Sequence, residues 1–219
     1  MDRTGRDGVP MGEDRGVVSI RVKNRVARVI TEALQPPVTV ALLLLLSPAM
    51  EPGFPGTVWF GAVAVLFVCV LPLAAVVLLV RMGKVTDHHV SDRKQRAPVL
   101  AMTVVSLLAG LGVLLAINAP YSVIVVVLAI VGGVVVLAAI SLFWKISGHA
   151  GSIALTTVIS VLILGVQWLP LLLLIPAVGW SRVVLRAHTV AQVVAGALVG
   201  GGVTAGLWWL LREVLVRAG

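Results

Sequence analysis

The chain has 219 residues, of which 59% are hydrophobic and 12% charged, and its mean hydropathy is +1.10. No soluble fold of this length covers that much apolar surface, whereas lipid tails solvate it, so the water-soluble classes are excluded and the chain reads as an all-α, polytopic integral membrane protein. The net charge of +8, from 17 Lys+Arg against 9 Asp+Glu, points to membrane topology and anionic head groups; the basic aromatic surface of a nucleic-acid binder is missing. A single cysteine, Cys69, excludes an intramolecular disulfide and a cysteine-based metal cluster.

Residues 1–16 are rich in Gly, Asp and Arg without periodicity and read as a disordered tail. Over 17–32, Val18, Val22, Val26, Val29 and Ile30 recur at helical spacing while Arg21, Arg25 and Arg28 fill another sector, the pattern of a basic helix at a membrane surface. A signal peptide is the weaker alternative, because no convincing small-residue cleavage site follows the apolar run. The remainder, 33–219, is expected to be one helical membrane domain. Its apolar segments lie at about 33–50, 57–80, 99–117, 121–144, 150–166, 168–180 and 188–211, which gives about six to seven spans. Segment 33–50 carries Pro36-Pro37 and Ser47-Pro48 and is either a span or a re-entrant element; the fifth and sixth segments are short for a bilayer. Gly196 and Gly200, and likewise Gly202 and Gly206, are four apart, as expected where another helix approaches closely. The six tryptophans fall near span ends and read as interfacial belt residues.

Polar residues collect in three stretches: Arg81 to Pro98, Lys145 to His149, and Ser181 to Gln192. Two apolar segments separate each stretch from the next, so all three emerge on one membrane face. They hold all four histidines, His88, His89, His149 and His188, beside Arg93, Arg96, Arg182 and Arg186. Such a collection favours a site for an anionic substrate over scattered loop residues. Phosphoryl transfer needs cationic donors for the nonbridging oxygens, an in-line nucleophile and an acid for the leaving oxygen, and arginines with two imidazoles supply each part without a metal or other cofactor. A metal set of Asp87, His88 and His89, adjacent in one loop, is a weak signal, and the paired Asp motifs of a magnesium-dependent prenyl transferase are missing.

Ser181-Arg182, five residues, His188, then Thr189-Val190-Ala191-Gln192 resembles the third signature of the type 2 phosphatidic acid phosphatase superfamily. Ser147-Gly148-His149 is similar to its second, with Ile146 in place of the usual proline. The first signature is altered: Arg96-Ala97-Pro98 stands where Arg-Pro is usual, and His89 stands seven before Arg96. The resemblance covers about residues 81–206. It implies that His188 is the nucleophile that becomes phosphorylated, that His149 is the general acid, and that Arg96 and Arg182 clamp phosphate with Ser147 and the Gly148 N–H. Gln192 stands where many members have an Asp that orients the nucleophile; Arg93 is assigned to phosphate contact, and His89, Asp92, Lys94 and Lys145 are supporting candidates. The implied function is hydrolysis of a lipid phosphomonoester or diphosphate, a polyprenyl lipid first and a phosphatidate-type lipid next, with the bilayer and its anionic head groups as the other partners. A non-catalytic protein that binds or transports an anionic lipid is the competing class, and the sequence does not indicate an oligomeric state.

Orientation follows from charge. If 33–50 spans, the amino terminus and the three stretches share a side that holds 15 of the 17 Lys+Arg, and the positive-inside rule puts the site at the cytoplasmic face of a bacterial-type plasma membrane. If 33–50 is re-entrant, the same rule puts it outside.

Overall fold

The computed structural model describes residues 11–83 and 93–218, with side chains described for 19–83 and 98–214. Among the described residues every regular element is a helix, and there are no strands. Helix α1 (Met11–Ala33) is followed by α2 (Pro36–Leu46), which a 3₁₀ turn, Ser47–Met50, prolongs. α1 begins at Met11 instead of at 17, so part of the expected tail is helical; residues 1–10 lie outside the described residues. Pro36 and Pro37 break the helix because neither offers an N–H to the preceding turn, and the two halves meet at 40°.

α3 (Val58–Val65) and α4 (Leu71–Arg81) form one span joined through a π-helical turn, Leu66–Val70. The turn frees the Phe67 carbonyl, which accepts a 2.6 Å bond from Ser106 Oγ on α5 (Arg93–Ala116). α6 (Tyr121–Ser141) returns across the bundle, and α7 (Gly148–Leu164) descends through its middle. A 3₁₀ stretch, Val166–Leu173, leads into α8 (Leu174–Val184); α9 (Val190–Ala197) and α10 (Thr204–Ala218) are joined by a second π-helical turn, Leu198–Val203.

Among the described residues five segments are long and apolar enough to cross a bilayer, or six if the bent α1–α2 pair counts as one, so the protein is an integral membrane protein. The sixth apolar segment, expected at 168–180, extends over 166–184. Its 3₁₀ half rises ~2 Å per residue against ~1.5 Å in the α half, so nineteen residues reach about 32 Å and match the hydrocarbon thickness. α7 has only 17 residues, but it lies among α2, α8 and α9 with Ile153, Ala154, Leu155 and Ile159 buried, so its length is not set by lipid.

Segment 33–50 runs the length of the bundle. Near its start, Thr31 Oγ1 lies 3.0 Å from Ser181 Oγ at the end of α8; just past its finish, Glu51 Oε1 accepts a 3.3 Å bond from the Ser122 N–H at the opposite end of α6 from Lys145. α1 therefore sits at the same end of the bundle as the second and third polar stretches.

The small-residue pattern divides. A Cβ at Gly196 would collide with the Ser147 carbonyl and one at Gly200 with the Gly151 carbonyl, so these two glycines let α7 touch backbone to backbone; Gly202 and Gly206 face open space. Trp208 departs from the belt expectation: it is 3% exposed and packs in the core with α6, with the Arg212 guanidinium 5.5 Å from its ring centre, while its neighbour Trp209 faces outward.

Candidate functional site

Ser147 is the N-cap of α7. Its Oγ accepts the Ala150 N–H at 3.3 Å, and the residue is wholly buried, so Ser147 is engaged in holding the helix start. Gly148 is exposed beyond it, and the first turn of α7 directs its N–H groups, the positive end of the helix dipole, toward the same end of the bundle. His149 follows in that turn, half-buried.

Arg182 and His188 are brought together by the way α8 ends. The Ala187 N–H bonds the Arg182 carbonyl at 3.0 Å and the Arg186 N–H bonds the Val183 carbonyl at 2.9 Å, a Schellman closure with Arg186 in the left-handed region at φ 54°. The His188 N–H also reaches the Arg182 carbonyl, at 3.3 Å. The five-residue interval between Arg182 and His188 is thus the length of the turn that reverses the chain between α8 and α9. Glycine is the usual residue at the position of Arg186, and a side chain there costs about 1 kcal/mol.

His188 lies just before the N-cap of α9. Thr189 and Gln192 form a reciprocal capping box: Gln192 N–H donates to Thr189 Oγ1 at 3.3 Å, and the Thr189 N–H donates to Gln192 Oε1 at 3.2 Å. His188 Nδ1 lies 3.2 Å from the same Oε1. A carbonyl oxygen only accepts, and the Thr189 N–H fixes which end of the amide faces inward, so Nδ1 carries the proton and Nε2 carries the lone pair. The tautomer that a carboxylate would impose is imposed here by an amide, without negative charge. Burial, chiefly, and the cations Arg182 and Lys145 hold the His188 imidazole below its usual pKa, against the raising effect of hydrogen bonds to Gln192 and the Lys145 backbone.

The second and third stretches meet directly. The Ser147 N–H donates to the Gln192 carbonyl at 3.2 Å, and the absent side chain of Gly196 admits the Ser147 carbonyl. Arg182 is 8% exposed, and its Nε has no hydrogen-bond partner, a buried donor left for a ligand to satisfy. Ser181 Oγ donates to the Val178 carbonyl at 2.7 Å and accepts from Thr31, and the Glu32 charge acts on Arg182. Thr31 and Glu32 were missed from sequence: they lie 150 residues away, on a helix whose pattern announces only a membrane surface.

Lys145 is exposed beside the site. Of the first stretch, Arg93, Lys94 and Arg96 begin α5 but their side chains lie outside the described residues, as do His89 and Asp92 altogether.

An apolar cavity of about 380 Å³ opens between α2, α4, α5, α6 and α7. Val68, Cys69, Leu73, Leu107 and Leu155 are among its walls, and Gly148 and His149 close one end. The π-helical turn puts Val68 and Cys69 on the wall.

The fold and site define a polytopic helical membrane protein whose one end gathers two histidines and a buried arginine beside an apolar chamber. Residues 138–215 match the family model described as PAP2 superfamily, the superfamily whose signatures the motifs resemble. The match takes in Ser147-Gly148-His149 and the whole stretch from Ser181 to Gln192, and leaves out residues 81–98. No curated protein and no solved structure matches the chain.

Proposed function

We propose that the protein is a metal-independent lipid phosphatase that hydrolyses a lipid phosphomonoester or diphosphate, with a polyprenyl lipid the leading substrate class and a phosphatidate-type lipid the next. His188 Nε2 attacks phosphorus while the P–O bond to the lipid breaks, and protonated His149 gives its proton to the departing oxygen. Water then attacks the phosphohistidine with His149 as base, releasing inorganic phosphate and restoring both imidazoles. Arg182, with Arg96 and Arg93 from the start of α5 and the Gly148 N–H, holds the nonbridging oxygens.

The observation that carries this reading is the apolar cavity that ends at Gly148 and His149. Its volume falls within the ~300–1,000 Å³ of small-molecule sites, and its walls suit an acyl or prenyl tail whose phosphate would sit at the histidines. The shared end of α1 and the site supports a cytoplasmic-facing active centre by the positive-inside rule, since 15 of 17 Lys+Arg then lie on one side.

The deciding experiment incubates purified protein with a panel of lipid phosphates in EDTA. Release of inorganic phosphate from at least one lipid, lost in His188→Ala, is the expected result. Tight binding without release across the panel would replace this reading with that of a non-catalytic anionic-lipid binder.

A further inference from the structure

Helix α1 touches the bundle through Ala27 and Thr31, both buried. At 100° per residue, Val22, Val26 and Val29 lie on the opposite side, and all three are exposed, as suits acyl chains just below a head-group layer. Arg25 lies in an outward sector, while Arg21, two turns before Arg28, lies within about 20° of that residue around the helix. Lys23, Asn24 and Arg28 flank the packed strip instead, and with Arg186 and the Val183–Leu185 turn they line a cleft of about 640 Å³ between α1 and the end of α8.

Among the described residues the cleft is lined without an acidic residue, and Lys23, Arg28 and Arg186 bring three positive charges to one concavity. Their mutual repulsion is relieved when an anion sits between them. Arg186 supplies a second, independent observation: it holds the left-handed position that glycine fills at lower conformational cost, so the chain sets a guanidinium at this mouth against the preference of its own backbone. The exposed valines on the far side of α1 give the helix that carries Lys23 and Arg28 an apolar face that acyl chains would cover. His149 and His188 are not among its walls, and the Val183–Arg186 turn stands between the cleft and the catalytic centre.

We propose that this cleft is a second phosphate-binding site, which takes the head group of an anionic phospholipid. The shared chemistry is a phosphate held by Lys23, Arg28 and Arg186, with the Asn24 amide as an additional donor. The proposal does not rest on the catalytic reading.

The test uses the full chain in detergent with the His188→Ala substitution, so that turnover and binding stay separate. Native mass spectrometry counts bound phosphatidic acid against phosphatidylcholine, with and without inorganic phosphate. Lys23→Gln with Arg28→Gln is expected to weaken one bound equivalent about 25-fold, at roughly fivefold per charge lost. Arg25→Gln with Arg81→Gln removes the same charge from residues that do not line the cleft and should leave that equivalent in place. Arg186→Gly, which relieves the backbone, should weaken binding while the protein melts no lower than its parent. Displacement of the lipid by inorganic phosphate would show that the phosphate alone is recognised, and resistance to displacement that the whole head group is; either sustains the site. Cleft variants that bind phosphatidic acid as tightly as the parent, or a control pair that loses as much, would overturn it.

Discussion

Gly196→Ala tests whether close backbone packing sets the catalytic geometry. The new methyl would overlap the Ser147 carbonyl oxygen and stand 3.2 Å from its carbon and 3.3 Å from the Ser147 Cβ, all parts of a buried helix cap that cannot swing aside. Restoring ordinary contact requires α7 and α9 to separate by about 1 Å. That movement stretches the 3.2 Å bond from the Ser147 N–H to the Gln192 carbonyl and displaces His149 relative to His188. Overpacking of this kind costs about 1–3 kcal/mol of stability, and a misplacement of about 1 Å between reacting groups lowers turnover by about 10²-fold. The control is Gly202→Ala on the same chain segment, where a methyl meets open space and should be neutral or slightly stabilising. Phosphate release from a lipid phosphate in proteoliposomes, with thermal melting of both variants, separates the cases. If Gly196→Ala melted and turned over like Gly202→Ala, the contact between α7 and α9 would not position the site.

The remaining predictions concern the site and its side of the membrane. His149→Ala should lower turnover by about 10²–10⁴-fold, the loss expected for a general acid, and His188→Ala should abolish it with the melting temperature kept; phosphate release at saturating substrate measures both. Arg182→Lys should lower kcat/KM strongly, because an ammonium offers no two-donor fork to phosphate; a full rate would make Arg182 a structural residue. The acidic limb of kcat/KM against pH should fall below the ordinary imidazole value, since His188 must be neutral to attack and its pKa is lowered. Lys145→Gln removes a cation that lowers it, so the limb should move to higher pH; an unmoved limb would exclude His188 as the titrating group. In a Cys69→Ala background, a cysteine at Lys145 should resist an impermeant maleimide in intact cells and one at Pro52 should react, and the reverse labelling would put the site outside.

The apolar runs, the turn signals and the parity of the three polar stretches made the bundle legible, because lipid imposes length and hydropathy on each span. Less legible were the places where the backbone departs from the α-helix. Nothing in 168–180 distinguishes a 3₁₀ stretch that lengthens the segment from a short α-helix, and the π-helical turns at 66–70 and 198–203 pack against α5 and α7, neighbours that hydropathy does not name. The glycines show the same limit. Four-residue spacing marks Gly196 with Gly200 and Gly202 with Gly206 alike, and only the position of α7 decides that the first pair meets it while the second, on another face, meets open space.

Within the site, the sequence exposed the chemical groups but not what holds them. The capping box of Thr189 and Gln192 was present as a Thr-x-x-Gln pattern, and it gives the unusual glutamine a physical account: its oxygen serves the helix cap and the His188 ring at once. An aspartate at this position would also accept both bonds, and would add a charge that raises the imidazole pKa. In this chain burial, with Arg182 and Lys145, pulls that pKa down and no carboxylate at position 192 opposes it, so on the proposed mechanism His188 stays neutral and ready to attack at lower pH, while the imidazolium formed during phosphoryl transfer is less well stabilised. The substitution therefore exchanges stabilisation of the charged intermediate for a larger neutral fraction of the nucleophile. Its functional consequence should appear in the pH profile before it appears in binding.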